Sequence, residues 1–117
     1  ISTAQRLFHP DGWAAGELDM AHRWRGNVHI VDIKANRGHD RDHRGVATQL
    51  RFYQWLWAET REHPSKPGNH VEEGQVEAIK SWHLADGFVH TAELLTNLDE
   101  ESQRLLAIQQ EMTSVSI

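Results

Sequence analysis

The hydrophobic pattern of this chain changes its period at Gly45, and this change limits the folds that are open to it. Before Gly45, the stretches Ala14 to Trp24 and Asn27 to Ala35 are typical of two strands, because the second is rich in β-branched residues and a turn-like Arg-Gly-Asn separates them. From Gly45 to Glu62, apolar residues recur at steps of three and four, which predicts an amphipathic helix. A strand pair that leads into such a helix is typical of an α/β fold.

The second half of the chain repeats this alternation of strands and helix. Val76 to Leu84 and Phe88 to Leu94 alternate apolar and polar residues on either side of a tight Asp86-Gly87 turn, and they predict a second hairpin. Asn97, followed three residues later by Glu100, can cap a last helix. The predicted order is β-β-α-β-β-α, with a mixed, twisted sheet of about four strands flanked by helices.

Length and composition narrow the class of protein further. The 117 residues suit one domain, so we expect residues 1–117 to form a single unit, with residues 65–74 as a linker. No cysteine is present, which excludes cysteine-ligated iron–sulfur clusters and leaves oxygen and imidazole as the strong metal ligands. The sequence contains no apolar run long enough to span a membrane and no signal-peptide pattern, so the expected location is the cytoplasm. A net charge of −5 argues against nucleic-acid binding over the whole surface, although a local positive groove remains compatible with it.

Acidic residues and a lysine fall on the two strands of the first predicted hairpin. Side chains alternate between the faces of a strand, so Glu17 and Asp19 share one face of the first strand, and Asp32 and Lys34 share one face of the second. Two carboxylates at close range repel each other, and a divalent cation such as Mg²⁺ or Mn²⁺ relieves that repulsion. Such an ion can polarise a phosphoryl oxygen and acidify a water molecule, which is the chemistry of phosphodiester hydrolysis.

The predicted helix and the loop before it carry further polar candidates. Gln49 and Tyr53 lie four residues apart and therefore share one helical face, from which both could reach the strand ends. Their amide and phenol groups could hold the lysine, the attacking water or a substrate phosphate. Arg37, Arg41 and Arg44 follow the second strand directly and are candidates for contacts with nucleic-acid phosphates.

These motifs together resemble a known family. Gly16-Glu17-Leu18-Asp19, then Asp32-Ile33-Lys34, then Gln49-Leu50-Arg51-Phe52-Tyr53 are similar to the GxxD, DxK and QhxxY series of RecB-like nucleases in the PD-(D/E)XK superfamily. A single DxK motif is common by chance, whereas three motifs in this order make the resemblance fairly specific. It covers roughly residues 12–90 of the chain.

The resemblance implies a restriction-endonuclease-like core and a divalent-metal-dependent nuclease that hydrolyses DNA. The cofactor it implies is Mg²⁺ or Mn²⁺, bound by Asp19, Asp32 and the backbone carbonyl of Ile33, with Glu17 as a further candidate ligand. The substrate it implies is single- or double-stranded DNA, cut by an exonuclease or an endonuclease.

The resemblance also implies roles for the remaining motif residues. Lys34 is the expected catalytic lysine, and Gln49 and Tyr53 are expected to support it. Many members of the family carry a metal-binding histidine on an upstream helix, and little sequence precedes the first predicted strand here. We therefore expect a core that lacks amino-terminal helices or one that works with an additional domain or a partner chain.

Other interpretations of the same residues stay open at this point. Asp19, Asp32 and Lys34 can form an ordinary solvated charge cluster between two strands. A nuclease-like module can bind nucleic acid or a protein without cutting, and the last helix can serve as an assembly surface. The tryptophans are expected to pack in a core rather than to stack on bases. His39, Asp40, Asp42 and His43 could form a second metal site in the loop, although closely spaced polar loop residues are usually solvated.

Overall fold

The computed structural model describes residues 2–8, 15–62 and 75–115, and these residues contain both strands and helices. The elements in chain order are β1 (Ser2–Phe8), β2 (Ala15–Trp24), β3 (Asn27–Lys34), α1 (Arg44–Glu62), β4 (Val76–His83), β5 (Phe88–Ala92) and α2 (Leu98–Val115). The predicted α/β class is confirmed, and the elements from β2 to α2 follow one another along the chain as expected. The restriction-endonuclease-like core that the resemblance implies stays a prediction. The linker predicted at residues 65–74 lies outside the described ranges.

One mixed sheet contains all the described strands, in the order β1-β2-β3-β4-β5. Neighbouring strands are antiparallel, except that β3 and β4 run parallel on either side of the connection through α1. The sheet therefore has one strand more than the four we predicted. The additional strand is β1, whose sequence contains few large apolar residues, with Leu7 and Phe8 at its end.

The core lies between α1 and one face of this sheet. The apolar stripe that predicted the helix is buried there, and Trp55 and Trp57 are buried as expected. The fully or nearly fully buried members from the sheet are Leu18, Ala21, Val28, Ile30 and Ile79, and those from α1 include Leu50, Leu56 and Trp57. Burial of these side chains is the main force that holds α1 on the sheet.

The last helix begins at the cap that the sequence predicted. The Asn97 side-chain oxygen accepts a hydrogen bond from the Glu100 amide at 3.0 Å. A polar chain then joins α2 to α1, because Trp55 Nε1 donates to the Ser102 hydroxyl at 2.5 Å and this hydroxyl donates to Glu59 at 2.9 Å. In the described part of the chain, neither helix is long and apolar enough to cross a membrane.

Candidate active site

The candidate site lies where β2 and β3 separate. Their ladder begins beside a two-residue turn, in which Arg25 and Gly26 both have a positive φ, and it ends at the pair Met20 and Val31. Beyond that pair β2 remains beside β1, whereas β3 remains beside β4 as far as Lys34. The next positions along the two separating strands are Asp19 and Asp32. The turn and the register therefore place both acids where a gap opens between the two strands, and we call this gap the cleft.

Asp19 bridges this cleft to the backbone of β3. Its Oδ2 accepts a hydrogen bond from the Ile33 amide at 2.8 Å. In an extended strand the N–H and C=O of one residue point to the same side, so the Ile33 carbonyl also faces the cleft. The carbonyl of Lys34 points to the other side, where it accepts a hydrogen bond from the Leu84 amide at 2.9 Å. Backbone geometry thus directs the predicted carbonyl ligand toward Asp19.

Asp32 is the buried acid of the pair, with 6% of its surface exposed. Burial raises the pKa of Asp32, the neighbouring Asp19 carboxyl raises it further, and the Lys34 ammonium acts in the opposite direction. Lys34 Nζ lies 2.9 Å from Asp32 Oδ2 in an ion pair. The same oxygen forms no hydrogen bond of good geometry among the described residues, and the ammonium balances its charge. A buried carboxylate oxygen in this condition is a suitable ligand for a cation.

The helix supplies the two supporting residues in the predicted place. Lys34 Nζ donates a long hydrogen bond to Gln49 Oε1 at 3.5 Å, and Gln49 Nε2 donates to the Tyr53 hydroxyl at 3.1 Å. One face of α1 therefore restrains the lysine that pairs with Asp32. Gln49 thus contacts the end of β3 and Tyr53 contacts Gln49, while the roles predicted for both residues stay predictions.

Gly16 makes room for this arrangement. A Cβ atom at position 16 would lie 2.9 Å from Tyr53 Cε1 and 3.4 Å from Leu56 Cδ2. The first contact is shorter than real Cβ atoms tolerate, so any larger residue must displace the tyrosine ring. The close approach of β2 to α1 is the physical reason for glycine at this position.

We expect Gly16→Ala to destabilise the chain by about 1–3 kcal/mol and to weaken the restraint on Lys34, because the added methyl group pushes Tyr53 away from Gln49. Denaturant unfolding measures the stability change. Gly45→Ala is the matched control, since a Cβ there meets no atom within 4 Å and alanine favours the helix. Equal stability of the two variants would contradict the proposed contact.

Glu17 is less well placed than the two aspartates. It is exposed on β2 at the position opposite Arg6 of β1. Its proposed role as an additional ligand stays a prediction.

The loop after β3 is anchored by Asp86, a residue that the sequence indicated only as part of a turn. Its carboxylate accepts hydrogen bonds from the backbone amides of Gly38, His39 and Phe88 at 3.0, 3.0 and 3.2 Å. These donors, the His39 amide above all, hold the pKa of Asp86 well below its ordinary value. Residues 36–43 are thereby tied to the turn between β4 and β5 rather than left as a free loop.

The three arginines of this region differ in their surroundings. Arg44 pairs with Asp42 at 2.7 Å, and its guanidinium lowers the pKa of that carboxyl to about 2. Arg37 and Arg41 are exposed and form no side-chain hydrogen bond or ion pair within residues 15–62 and 75–115. Arg37 and Arg41 are therefore better placed than Arg44 to contact phosphates.

A buried polar network beneath the loop was missed from the sequence. His83 is almost fully buried, and its ring nitrogens contact Ser81 Oγ at 3.0 Å and Asn36 Oδ1 at 2.9 Å. His43 packs edge-on against His83 and stacks on His90 at a centroid distance of 4.4 Å. The alternation of side chains along β4 could have indicated this network, because it places residues 79, 81 and 83 on the buried face.

The described ranges contain no group of three or more histidine, aspartate or glutamate side chains arranged to hold a metal ion. The second metal site that the loop suggested is accordingly not formed, because His39 contacts Asp86 and Asp42 contacts Arg44. The cleft offers a smaller donor set, two carboxylates and one backbone carbonyl. This set suits Mg²⁺, which usually binds one or two carboxylates and keeps water or phosphate oxygens as its other ligands.

Comparisons with protein-family models, with curated proteins and with solved structures found no match to this chain.

Proposed function

We propose that this chain is a divalent-metal-dependent nuclease that hydrolyses DNA phosphodiester bonds, with its active site in the cleft between β2 and β3. The observation that carries the proposal is the convergence of Asp19, buried Asp32 and Lys34 at the point where two strands separate. A solvated charge cluster would leave both acids exposed, whereas here one of them is buried beside the lysine. The arrangement favours a functional site over surface charge.

The residues that would hold the cation are Asp19, Asp32 and the Ile33 carbonyl. All three belong to adjacent strands, and both kinds of oxygen are ligands that Mg²⁺ and Mn²⁺ accept. When bound, such an ion polarises a phosphoryl oxygen and acidifies a water molecule. The carboxylates themselves lose their mutual repulsion, and so this pair is expected to order on binding.

Lys34 is the proposed catalytic residue. Its ammonium lies between Asp32 and Gln49, with about a third of the side chain exposed, so it can reach a substrate in the cleft. A positive charge at this point can orient the attacking water and stabilise negative charge that develops on the phosphate. Gln49 and Tyr53 limit the positions that the flexible lysine side chain can adopt.

DNA is the proposed substrate because the loop after β3 carries two exposed arginines that form no side-chain ion pair among the described residues. Exposed Arg37 and Arg41 follow Lys34 within one loop, while the chain as a whole carries a charge of −5. Phosphate contacts of this kind orient a nucleic acid without reading its sequence. The proposal covers cleavage from an end as well as internal cleavage.

We expect Lys34→Ala to reduce the cleavage rate about 10²–10³-fold while Mn²⁺ still binds, because the lysine stabilises charge in the transition state and is not a metal ligand. The measurement uses labelled linear single- and double-stranded DNA with Mn²⁺, Mg²⁺ or EDTA. Calorimetry measures Mn²⁺ binding in parallel.

Arg104→Gln is the control, since it removes a positive charge on α2 that pairs with Glu101. It should cut at the wild-type rate. A folded wild-type chain that binds Mn²⁺ but cuts neither form of DNA would overturn the catalytic proposal in favour of a binding module. Equal cleavage by wild type and Lys34→Ala would overturn the role of the lysine.

A further inference from the structure

The face of the sheet opposite α1 carries an exposed tryptophan. Trp82 of β4 is 41% exposed, although the sequence led us to expect it in the core. Its register partners are Ile33 on β3, which is 36% exposed, and Val89 on β5. We call this side of the sheet, at Ile33 and Trp82, the open face.

One residue of the candidate site, Asp19, lies on the open face, whereas Asp32 and Lys34 alternate with Ile33 and lie on the side toward α1. Gly16 lies against Tyr53 and Leu18 is buried in the core, so both face α1. Because side chains alternate along a strand, Asp19 lies on the opposite side, and it is exposed there. The Asp19 carboxylate contacts the Ile33 backbone on β3. Trp82 lies beside Ile33 on the next strand, β4, and neighbouring strands are about 4.8 Å apart. Asp19, Ile33 and Trp82 thus follow one another across three neighbouring strands.

The chemistry of this surface favours a nucleobase over a second copy of the chain. A base has a flat apolar face that stacks on an indole, and the base would be joined to phosphates that the neighbouring site attracts. The nearest charged side chain on the same face of β4 is the cation Lys80, which suits a polyanion. A few half-exposed side chains offer far less than the about 800 Å² that each partner of a stable protein interface buries.

We propose that Trp82, flanked by Ile33, is a stacking platform for an unpaired base of the substrate strand next to the cleavage site. This inference rests on the proposed function and makes the substrate more specific. A base in a duplex is already stacked on its neighbours, so the platform selects single strands or frayed ends. It assigns Trp82 to substrate binding rather than to catalysis.

The test measures binding in EDTA, where no strand is cut. Fluorescence anisotropy follows labelled oligothymidylate, the same strand with abasic residues in place of thymidine, and a blunt duplex. Trp82→Ala should weaken binding of oligothymidylate about 5- to 150-fold and leave binding of the abasic strand unchanged, because only the first strand can stack. Trp82→Phe should restore most of the affinity.

Leu106→Ala on α2 is the matched control, since Leu106 is 42% exposed and lies on neither the sheet nor the cleft. It should bind all three ligands like wild type. Equal losses on the oligothymidylate and abasic strands, or no loss with Trp82→Ala, would overturn the platform. A wild-type dimer that becomes a monomer in Trp82→Ala, with DNA binding unchanged, would assign the surface to protein association instead.

The two proposals fail in different ways. If wild type cuts DNA with Mn²⁺ but Trp82→Ala binds oligothymidylate normally, the platform is wrong and the nuclease stands. If wild type binds through Trp82 but never cuts, the nuclease is wrong and the platform belongs to a binding module. A wild-type chain that binds none of the strands in EDTA and cuts none of them with Mn²⁺ would overturn both.

Discussion

Asp32→Asn should reduce metal-dependent cleavage by at least about 10³-fold and leave the metal-free fold as stable as wild type or about 1 kcal/mol more stable. The carboxylate is buried beside the Asp19 carboxyl, so its charge is costly even with the Lys34 ammonium 2.9 Å away. Asparagine keeps the shape and removes the charge. A gain in stability with a loss of activity is the signature of a residue retained for function.

The difference in stability between Asp32→Asn and wild type should increase with pH. Because burial and Asp19 raise the pKa of Asp32 above its ordinary value of 3.8, folding favours the protonated carboxyl. The contribution of Asp32 to stability is therefore fully present below about pH 4 and is lost as the pH rises through the raised pKa. The stability advantage of Asp32→Asn should be smallest near pH 4. It should grow as the pH rises through the raised pKa of Asp32 and then level off.

Denaturant unfolding at several pH values, in EDTA and in Mn²⁺, measures this effect. At a hundredfold excess over its dissociation constant, Mn²⁺ should stabilise wild type by about 2.7 kcal/mol and the variant not at all. Asp40→Asn is the control, because Asp40 is exposed and its positive φ suits asparagine equally well. A variant of Asp32 that loses stability at every pH would show that the carboxylate is structural.

Trp55→Ala should destabilise the chain by about 3–5 kcal/mol, a large part of the about 5–15 kcal/mol that holds a domain of this kind together. Trp55 is completely buried, and its indole N–H begins the polar chain through Ser102 to Glu59. Loss of the ring leaves a cavity and detaches α2 from α1. Denaturant unfolding followed by circular dichroism measures the change.

Two further variants separate the contributions of the Trp55 side chain. Trp55→Phe retains much of the buried ring but cannot donate to Ser102, so its loss should be intermediate. Trp82→Ala removes an exposed tryptophan and should change stability by no more than about 0.5 kcal/mol. Equal losses for Trp55→Ala and Trp82→Ala would contradict the packing described for the two residues.

The regular elements from β2 to α2 could be predicted from local patterns. The β-branched residues of β3, the apolar stripe of α1 and the Asn97 cap are short-range signals, and the structure confirms each of them within one or two residues. β1 was missed because its short sequence carries little apolar weight and depends on pairing with β2.

The residues of the site could be predicted, but their geometry could not. Asp19, Asp32 and Lys34 follow from side-chain alternation and from the resemblance, whereas the separation of β2 from β3 depends on which neighbour each strand pairs with. Asp86 anchors the loop by binding Gly38 and His39, which lie 48 and 47 positions earlier in the chain, and no local pattern reveals such a contact.

The position of Trp82 shows a different limit. A tryptophan on a strand is buried or exposed according to what covers that face of the sheet, and the sequence of the strand does not contain this information. Trp55 and Trp57 belong to α1, which packs on the other face of the sheet, and they met the expectation, while Trp82 lies on the open face and did not.

Titration of Mn²⁺ into the wild-type chain by calorimetry tests most directly whether Asp19 and Asp32 share one cation. The variants are Asp19→Asn, Asp32→Asn and the double substitution. We expect wild type to bind one ion per chain, each single variant to lose that binding, and the double variant to behave like the single ones, because the two carboxylates act as a unit. Binding by wild type and by all three variants with the same affinity would contradict the metal site in the cleft.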